Sequence, residues 1–326
     1  MRIFLTGATG FLGRRLFKRL LADGHEVCGL VRNPGSHIPK DGKFLEGDIL
    51  SPPPLPISAG SFDLLIHLAA LITFSPDRLE ELHLVNGTGT ERILQWAQAH
   101  HIPRTVVVSS ACTCGISVSP SDILDEASAL SARVARRNPY LQSKLATERA
   151  ANAAAEQGMH VVTVLPTTVY GPGDDSLNSG TLIAQVTRNR VIPVPPGGSN
   201  VIDIDDLLDG LLIAAEKGVS GNRYILGGEN LSFATIIDTI ARVTDRSPIR
   251  LPLPLCSGPI AAATALIIGT LTKSRFLTPQ IIGDLYKFKY YSSDRAHREF
   301  GWKAGKSFEA TIRNAWNYYL DKGLLS

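Results

Sequence analysis

The chain begins Met1-Arg2-Ile3-Phe4-Leu5-Thr6-Gly7-Ala8-Thr9-Gly10-Phe11-Leu12-Gly13, and Arg14 to Leu21 continue in a helical pattern. A short apolar strand, a glycine-spaced turn and a helix, in that order, decide the fold. Glycines let a backbone pass close to a pyrophosphate, and a helix N-terminus offers free N–H groups and a positive dipole end. The spacing is G-x-x-G-x-x-G, which differs from the more usual G-x-G-x-x-G. The apolar run before the glycines is too short for a signal peptide and reads as a first strand.

Outward from that turn, strand-like runs alternate with helical ones. Arg2 to Thr6, His25 to Val31, Lys43 to Glu46, Phe62 to Leu68, Thr105 to Ser109 and His160 to Leu165 read as strands. Phe11 to Asp23, Leu79 to His100 and the alanine-rich Tyr140 to Glu156 read as helices. Such alternation predicts an α/β fold, a Rossmann-type doubly wound parallel sheet. Between the third and fourth strands, Ser51-Pro52-Pro53-Pro54-Leu55-Pro56 forbids a helix and predicts an extended crossing. After Leu165 the alternation fails. We expect a dinucleotide-binding domain over 1–170 and a smaller, mainly helical substrate lobe over 171–326. Parts of 199–230, namely Val201 to Ile204 and Arg223 to Leu226, are expected to rejoin the sheet.

The 326 residues are 44% hydrophobic and 19% charged, which excludes disorder. A net charge of +3 with no basic stripe argues against a nucleic-acid partner. Cys28, Cys112, Cys114 and Cys256 are too few and too oddly spaced for a disulfide framework, so a reducing cytoplasm is expected. Leu251 to Thr272 carries no charge, but Pro252, Pro254 and Pro259 leave only Ile260 to Thr272 as an apolar helix. That falls short of the ~20 residues a membrane span needs. A buried helix or substrate lid is the main expectation, and a membrane-surface contact through 251–272 the lesser one.

The second strand ends at Arg32, where an NAD-preferring site would carry an acidic residue. A guanidinium suits a 2′-phosphate, which predicts NADP(H) as cofactor. Asp48 follows the third strand, where it could accept from an adenine amino group. Tyr140 and Lys144 lie four apart on one helix face. A phenol titrating near ~10 becomes a useful acid near neutrality when a cation lowers its pKa, and Lys144 is placed to do so. Ser109 and Ser110 end the fifth strand, at the sheet edge where open α/β folds bind ligands, and Ser110 could bond a substrate oxygen beside the tyrosine.

These motifs, with His67-Leu68-Ala69-Ala70, Val85-Asn86-Gly87-Thr88, Pro166 to Asp174, Asp203 to Asp206, Tyr224 to Gly228 and Ser292 to Ala296, run in order along most of the chain. The sequence resembles an extended short-chain dehydrogenase/reductase, and within it the dihydroflavonol-reductase-like group more than the sugar epimerases. The resemblance implies Tyr140 as general acid/base, Lys144 as its ribose-binding partner and Ser110 as the orienting hydroxyl. It implies cofactor contacts from Gly7, Thr9, Gly10, Phe11, Leu12, Gly13, Arg32, Asp48, Ile49, Leu68, Ala69, Ala70, Asn86 and Ser109. Further contacts are implied from Pro166, Thr167, Thr168 and Val169. No metal is expected, and His67 reads as structural. Where relatives often carry Tyr-Gly after the serine strand, this chain has Cys114-Gly115.

The expected activity is NADP(H)-dependent reduction of a carbonyl, or oxidation of the alcohol, on a small and largely apolar substrate. Nucleotide-sugar epimerisation by the same three residues is the alternative. Ala111-Cys112 stands where sugar dehydratases place an Asp-Glu pair, which disfavours dehydration. Arg188, Arg190 and Lys273 leave cations available for a diphosphate. A non-catalytic cofactor-binding role is a third reading, and the intact Ser110, Tyr140 and Lys144 argue against it. Either a monomer or a homodimer is expected.

Overall fold

The computed structural model describes residues 1–33, 42–55, 61–73, 78–128, 138–272 and 278–325. Strand β1 (Arg2–Thr6) leads through the glycine turn to α1 (Phe11–Ala22), then to β2 (Glu26–Val31), β3 (Lys43–Glu46) and β4 (Leu64–His67). Pro52 to Leu55 cross in a non-helical path, as expected, and Trp96 Nε1 donates to the Pro53 carbonyl at 2.8 Å. Pro56 lies outside the described residues.

The expected helix from Leu79 to His100 is divided. It comprises α2 (Leu79–His83), a π-turn at Leu84–Thr88 and α3 (Gly89–Ala99). Next come β5 (Arg104–Val108), a 3₁₀ turn at Ala111–Cys114, α4 (Pro139–Glu156) and β6 (Val161–Pro166). Helix α4 starts where it does because Asn138 caps it, its Oδ1 accepting from Leu141 N at 3.0 Å, and Pro139 fills the first position.

The later chain forms β7 (Thr168–Tyr170), α5 (Gly180–Arg188), β8 (Val191–Val194), β9 (Gly198–Asp203) and α6 (Ile204–Lys217). Then follow β10 (Arg223–Leu226), β11 (Glu229–Ser232), α7 (Phe233–Val243), β12 (Ile249–Pro252) and α8 (Gly258–Thr272). The last elements are α9 (Pro279–Asp284), β13 (Phe288–Lys289), α10 (Asp294–Phe300) and α11 (Phe308–Asp321).

Seven strands pair in parallel in the order β3-β2-β1-β4-β5-β6-β10, the doubly wound arrangement. All residues of β4 and β6 are buried, as a sheet covered on both faces requires. Alternation along β1 sends Ile3 and Leu5 into the core shared with α1 and α6, and Phe4 into the opposite core with Ile93 and Trp96.

Of the two segments expected to rejoin this sheet, Arg223–Leu226 does so as β10. Val201 to Ile204 does not. Val201 to Asp203 belong to β9, which pairs with β7, β11 and β13 in a second sheet, and Ile204 opens α6. The second half therefore carries more strand than expected, because these two- to six-residue strands pair with distant partners and leave no local alternation to read. The expectation of a buried α8 also fails over its described side chains: from Gly258 to Leu266 only Ala265 is buried.

Candidate active site

The chain turns in opposite directions on leaving β1 and β4, so a crevice opens at their carboxyl ends, where open α/β sheets bind ligands. The β1–α1 turn forms its floor. Gly7 has φ +73°, and a Cβ there would stand 2.7 Å from the Ala69 nitrogen. A Cβ at Gly13 would stand 2.0 Å from the Gly7 carbonyl oxygen. Gly10 caps α1 without a side chain, and the first turn holds no acidic residue. The N–H groups of that turn have no intrahelical acceptor, so the cradle suits an anion.

A chain of hydrogen bonds fixes the facing β4 loop. Thr90 Oγ1 donates to the Asn86 carbonyl at 2.7 Å, so it accepts from His67 Nε2 at 3.1 Å. His67 Nδ1 is then the acceptor for Thr6 Oγ1 at 2.7 Å, and Thr6 accepts from Ala69 N at 3.3 Å. That order requires a neutral imidazole. Burial, reinforced by the Lys144 charge, accordingly pushes His67 down to about 3.

A cavity of about 630 Å³ lies over the cradle. Gly7, Thr9, Gly10, Phe11, Leu12 and Gly13 line it from the β1–α1 turn and the start of α1, and Leu68 and Ala70 from the β4 loop. Ser109 and Ser110 line it from just past β5, Tyr140 and Lys144 from α4, and Pro166 to Val169 from the end of β6 and the start of β7. Sixteen of the twenty-one residues singled out in the sequence thus meet at one cavity; Arg32, Asp48, Ile49, Ala69 and Asn86 stand outside its lining.

Arg32 is exposed, two residues past the Thr6–Leu30 pair, at the end of the strand beside the cradle. Asp48 Oδ1 accepts from Leu50 N at 2.9 Å and shapes its own turn. Ile49 is a core residue against α3, where only a glycine at position 89 leaves it room. Ala69 contributes backbone beneath Gly7. Asn86 is buried in the π-turn; its Oδ1 accepts from Leu71 N at 2.7 Å, and its Nδ2 donates to Leu71 O and Ser143 Oγ at 2.9 Å each. It holds the β4 loop against α4.

A second cavity of about 300 Å³ shares Ser110, Tyr140, Pro166, Thr167, Thr168 and Asn178 with the first. Its other walls are mostly apolar, with Ala111, Ile116, Ile281 and Leu285, and they also carry Cys112 and the Lys289–Asp284 pair at 3.3 Å. Ser110 and Tyr140 therefore stand at the junction of the two cavities. The Thr167 hydroxyl oxygen there is buried without a hydrogen-bond partner.

Ser110 Oγ bonds the Tyr140 phenol, which favours the phenolate, but burial dominates and pushes the phenol well up. Lys144 Nζ donates to the Val108 carbonyl at 3.2 Å, and burial pushes the ammonium down to about 8. The acidification expected from Lys144 does not appear: burial and the nearby Cys112 raise the phenol, and the Ser110 bond alone works the other way. Ser109 faces differently from Ser110: its hydroxyl donates to Glu148 Oε1 at 2.7 Å.

The sequence reading missed several residues around the site. Glu148 is buried with Arg223 at 2.8 Å and fastens α4 to β10, 75 residues apart. Arg14 reaches Asp175 at 2.7 Å and the Gly173 carbonyl at 2.9 Å, closing one end of the first cavity. Asn138, directly before Pro139, was a legible cap signal. The partners of Glu148 and Arg14 carried no local signal. All four cysteines are free thiols, and no group of three or more His, Cys, Asp or Glu among the described residues could hold a metal.

The family described as NAD dependent epimerase/dehydratase matches residues 3–227. A putative dihydroflavonol 4-reductase of Synechocystis sp. is 30% identical over 98% of this chain and 95% of its own length. Sterol demethylase protein B of Methylococcus capsulatus is 27% identical over the whole of both chains. Among solved structures, that of gox2253 superposes with a TM-score of 0.82 at 22% identity, covering 99% of both chains. UDP-glucose 4-epimerase of Thermotoga maritima, with UDP-glucose, superposes at 0.76 and 17% identity over 99% of both, a likeness of fold.

Proposed function

The chain belongs to the NAD dependent epimerase/dehydratase family, and on that premise we propose that it is an NADP(H)-dependent carbonyl reductase, or alcohol dehydrogenase in reverse. Its substrate is small and largely apolar, and Ser110, Tyr140 and Lys144 are its catalytic residues. One observation carries the reading: a glycine-floored cavity and a mostly apolar one meet at Ser110 and Tyr140.

Two features fit a dinucleotide in the first cavity. The backbone-on-backbone approaches at Gly7 and Gly13 hold the turn that lines the cavity in a shape that a residue with a Cβ could not take, and the buried Thr167 hydroxyl lacks a partner. The cradle N–H groups would hold the pyrophosphate, Pro166 to Val169 the nicotinamide end, and Arg32 a 2′-phosphate through charge-assisted bonds. Asp48 would meet the adenine. When bound, the reduced nicotinamide supplies the hydride that reaches the carbonyl carbon.

The chain's own residues handle the oxygen. Ser110 Oγ donates a hydrogen bond to the substrate oxygen and orients it toward the phenol. Tyr140 Oη gives that oxygen its proton, a step worth about 10²- to 10⁴-fold in rate. Lys144 holds a ribose hydroxyl and lowers the cost of the phenolate that results. Asn86 acts as a positioning residue by fixing the loop after β4.

Epimerisation of a nucleotide sugar would need cations to meet the diphosphate. Arg188 lines a separate groove and Arg190 lines neither cavity, while Lys273 falls outside the described residues. Lys289 is the only described cation lining the apolar cavity. Turnover tests the proposal: NADPH oxidation is expected with apolar ketones or aldehydes. Tight NADPH binding with no turnover across such a panel would overturn it in favour of a binding role.

A further inference from the structure

Strand β12, the turn Leu255–Ser257 and helix α8 form an apolar surface that the described chain leaves uncovered. Ile249, Leu251, Leu255, Ile260 and Leu266 are each more than half exposed. Large apolar side chains exposed one after another along a stretch of chain are a mark of an interaction site. We propose that this face docks on an anionic lipid bilayer, with α8 lying in the interface, so that the chain works at a membrane surface. The proposal is independent of the reaction assigned above.

Composition argues for lipid as the occupant. Helix α8 reads Gly-Pro-Ile-Ala-Ala-Ala-Thr-Ala-Leu-Ile-Ile-Gly-Thr-Leu-Thr, with no charged position on any side. A helix apolar all round belongs in a protein core or in lipid, and the described part of α8 is not in the core. Its 15 residues extend roughly 22 Å, short of the ~30 Å hydrocarbon thickness, so it can lie in a leaflet but not cross. No described helix is long and apolar enough to cross a membrane.

Charge selects the kind of lipid. Between Asp245 and Asp284 the sequence holds no carboxylate, yet it carries Arg246, Arg250, Lys273 and Arg275, two cations on each side of the charge-free run. Arg250 pairs with Asp238 at 2.9 Å, both about half exposed, so the basic excess rests on Arg246, Lys273 and Arg275 in the sequence. Anionic headgroups complement this pattern. A second copy of the chain would bring like charges together, which disfavours self-docking through the same face.

The face also continues into the candidate site. Helix α8 packs on α9, and Ile281 of α9 and the adjoining Leu285 line the apolar cavity beside Tyr140. An apolar substrate dissolved in the bilayer would meet that wall first.

The experiment is flotation of the full chain with vesicles of phosphatidylcholine alone and of phosphatidylcholine mixed with phosphatidylglycerol, at low and high salt. The chain is expected to float with the mixed vesicles, more weakly as salt rises. Arg246→Gln with Arg250→Gln should lower affinity for them about tenfold or more, each cation near such a surface contributing about fivefold. Ile260→Glu with Leu266→Glu should abolish flotation while melting temperature and NADPH affinity stay unchanged. Wild type remaining in the aqueous phase with the mixed vesicles would overturn the proposal, and so would undiminished flotation of the Ile260→Glu/Leu266→Glu variant. Sedimentation showing a wild-type dimer that this variant dissociates would overturn it as well, since a second copy would then cover the face.

Discussion

A methyl group added at Gly13 would collide with the Gly7 carbonyl at 2.0 Å, whereas one added at Gly283 in α9 would meet nothing within 4 Å. Gly13 lines the first cavity, and Gly283 sits in the helix whose Ile281 and Asp284 line the second. On the cradle side, backbone packs directly on backbone and the β4 loop is tied down through Thr6, His67, Thr90 and Asn86. On the α9 side, short elements offer apolar side chains with room around them. A rigid half fits a ligand of invariant shape, and a looser half fits one whose shape differs between relatives.

Removing the group shared by both halves should have the largest effect. Tyr140→Phe is expected to lower turnover by about 10²- to 10⁴-fold while NADPH affinity stays within about twofold. Steady-state rates and NADPH fluorescence titration check this, and an equal loss of binding would place Tyr140 in the rigid half alone. Gly13→Ala should cost about 1–3 kcal/mol in a denaturant melt and weaken NADPH binding, because backbone has nowhere to yield. Arg32→Asp should shift the NADP/NAD preference by about ten- to a hundredfold. An unchanged ratio of the two Kd values would remove Arg32 from the site.

The hydrogen-bonded loop makes its own pH signature. His67 titrates near 3 in the folded chain against an ordinary value of 6.5, so the unfolded chain takes up the proton first as pH falls. Stability is therefore lost progressively from pH 6.5 downward, by about 2 kcal/mol at pH 5. His67→Gln should flatten that slope, measured as Tm against pH, even if it lowers stability at pH 7. The smallest effect is expected in α9. Gly283→Ala should raise stability by no more than about 1 kcal/mol, since α9 has space for the methyl and gains helix propensity. A large loss there would erase the contrast between the halves.

The same contrast separates what the sequence discloses from what it hides. Strands β1 to β6 were legible because a parallel sheet covered on both faces needs unbroken apolar runs, and the cradle because its glycines answer to steric demands within seven residues. Tyr140, Lys144 and Ser110 were legible through spacing and strand-end position. The small strands β7, β11 and β13 were not, and β9 was read over Val201 to Ile204 but placed in the wrong sheet, since each takes its register from a partner far along the chain. Nor was the use of Ser109, whose hydroxyl looks from sequence like that of Ser110 but is committed to Glu148. The walls of the apolar cavity come from residues 110 to 291, and no local pattern announces such an assembly.

The π-turn at Leu84–Thr88 sets a limit on how this chain can vary in length. Each residue of a helix accounts for about 100° of rotation. A single-codon deletion within that turn would let the helix run regularly from Leu79 to Ala99, yet it would swing everything upstream by roughly that angle around the axis. Asn86 would lose Leu71 and Ser143 together. The irregular turn is thus the point where a gain in local regularity would unlatch the loop that borders the crevice.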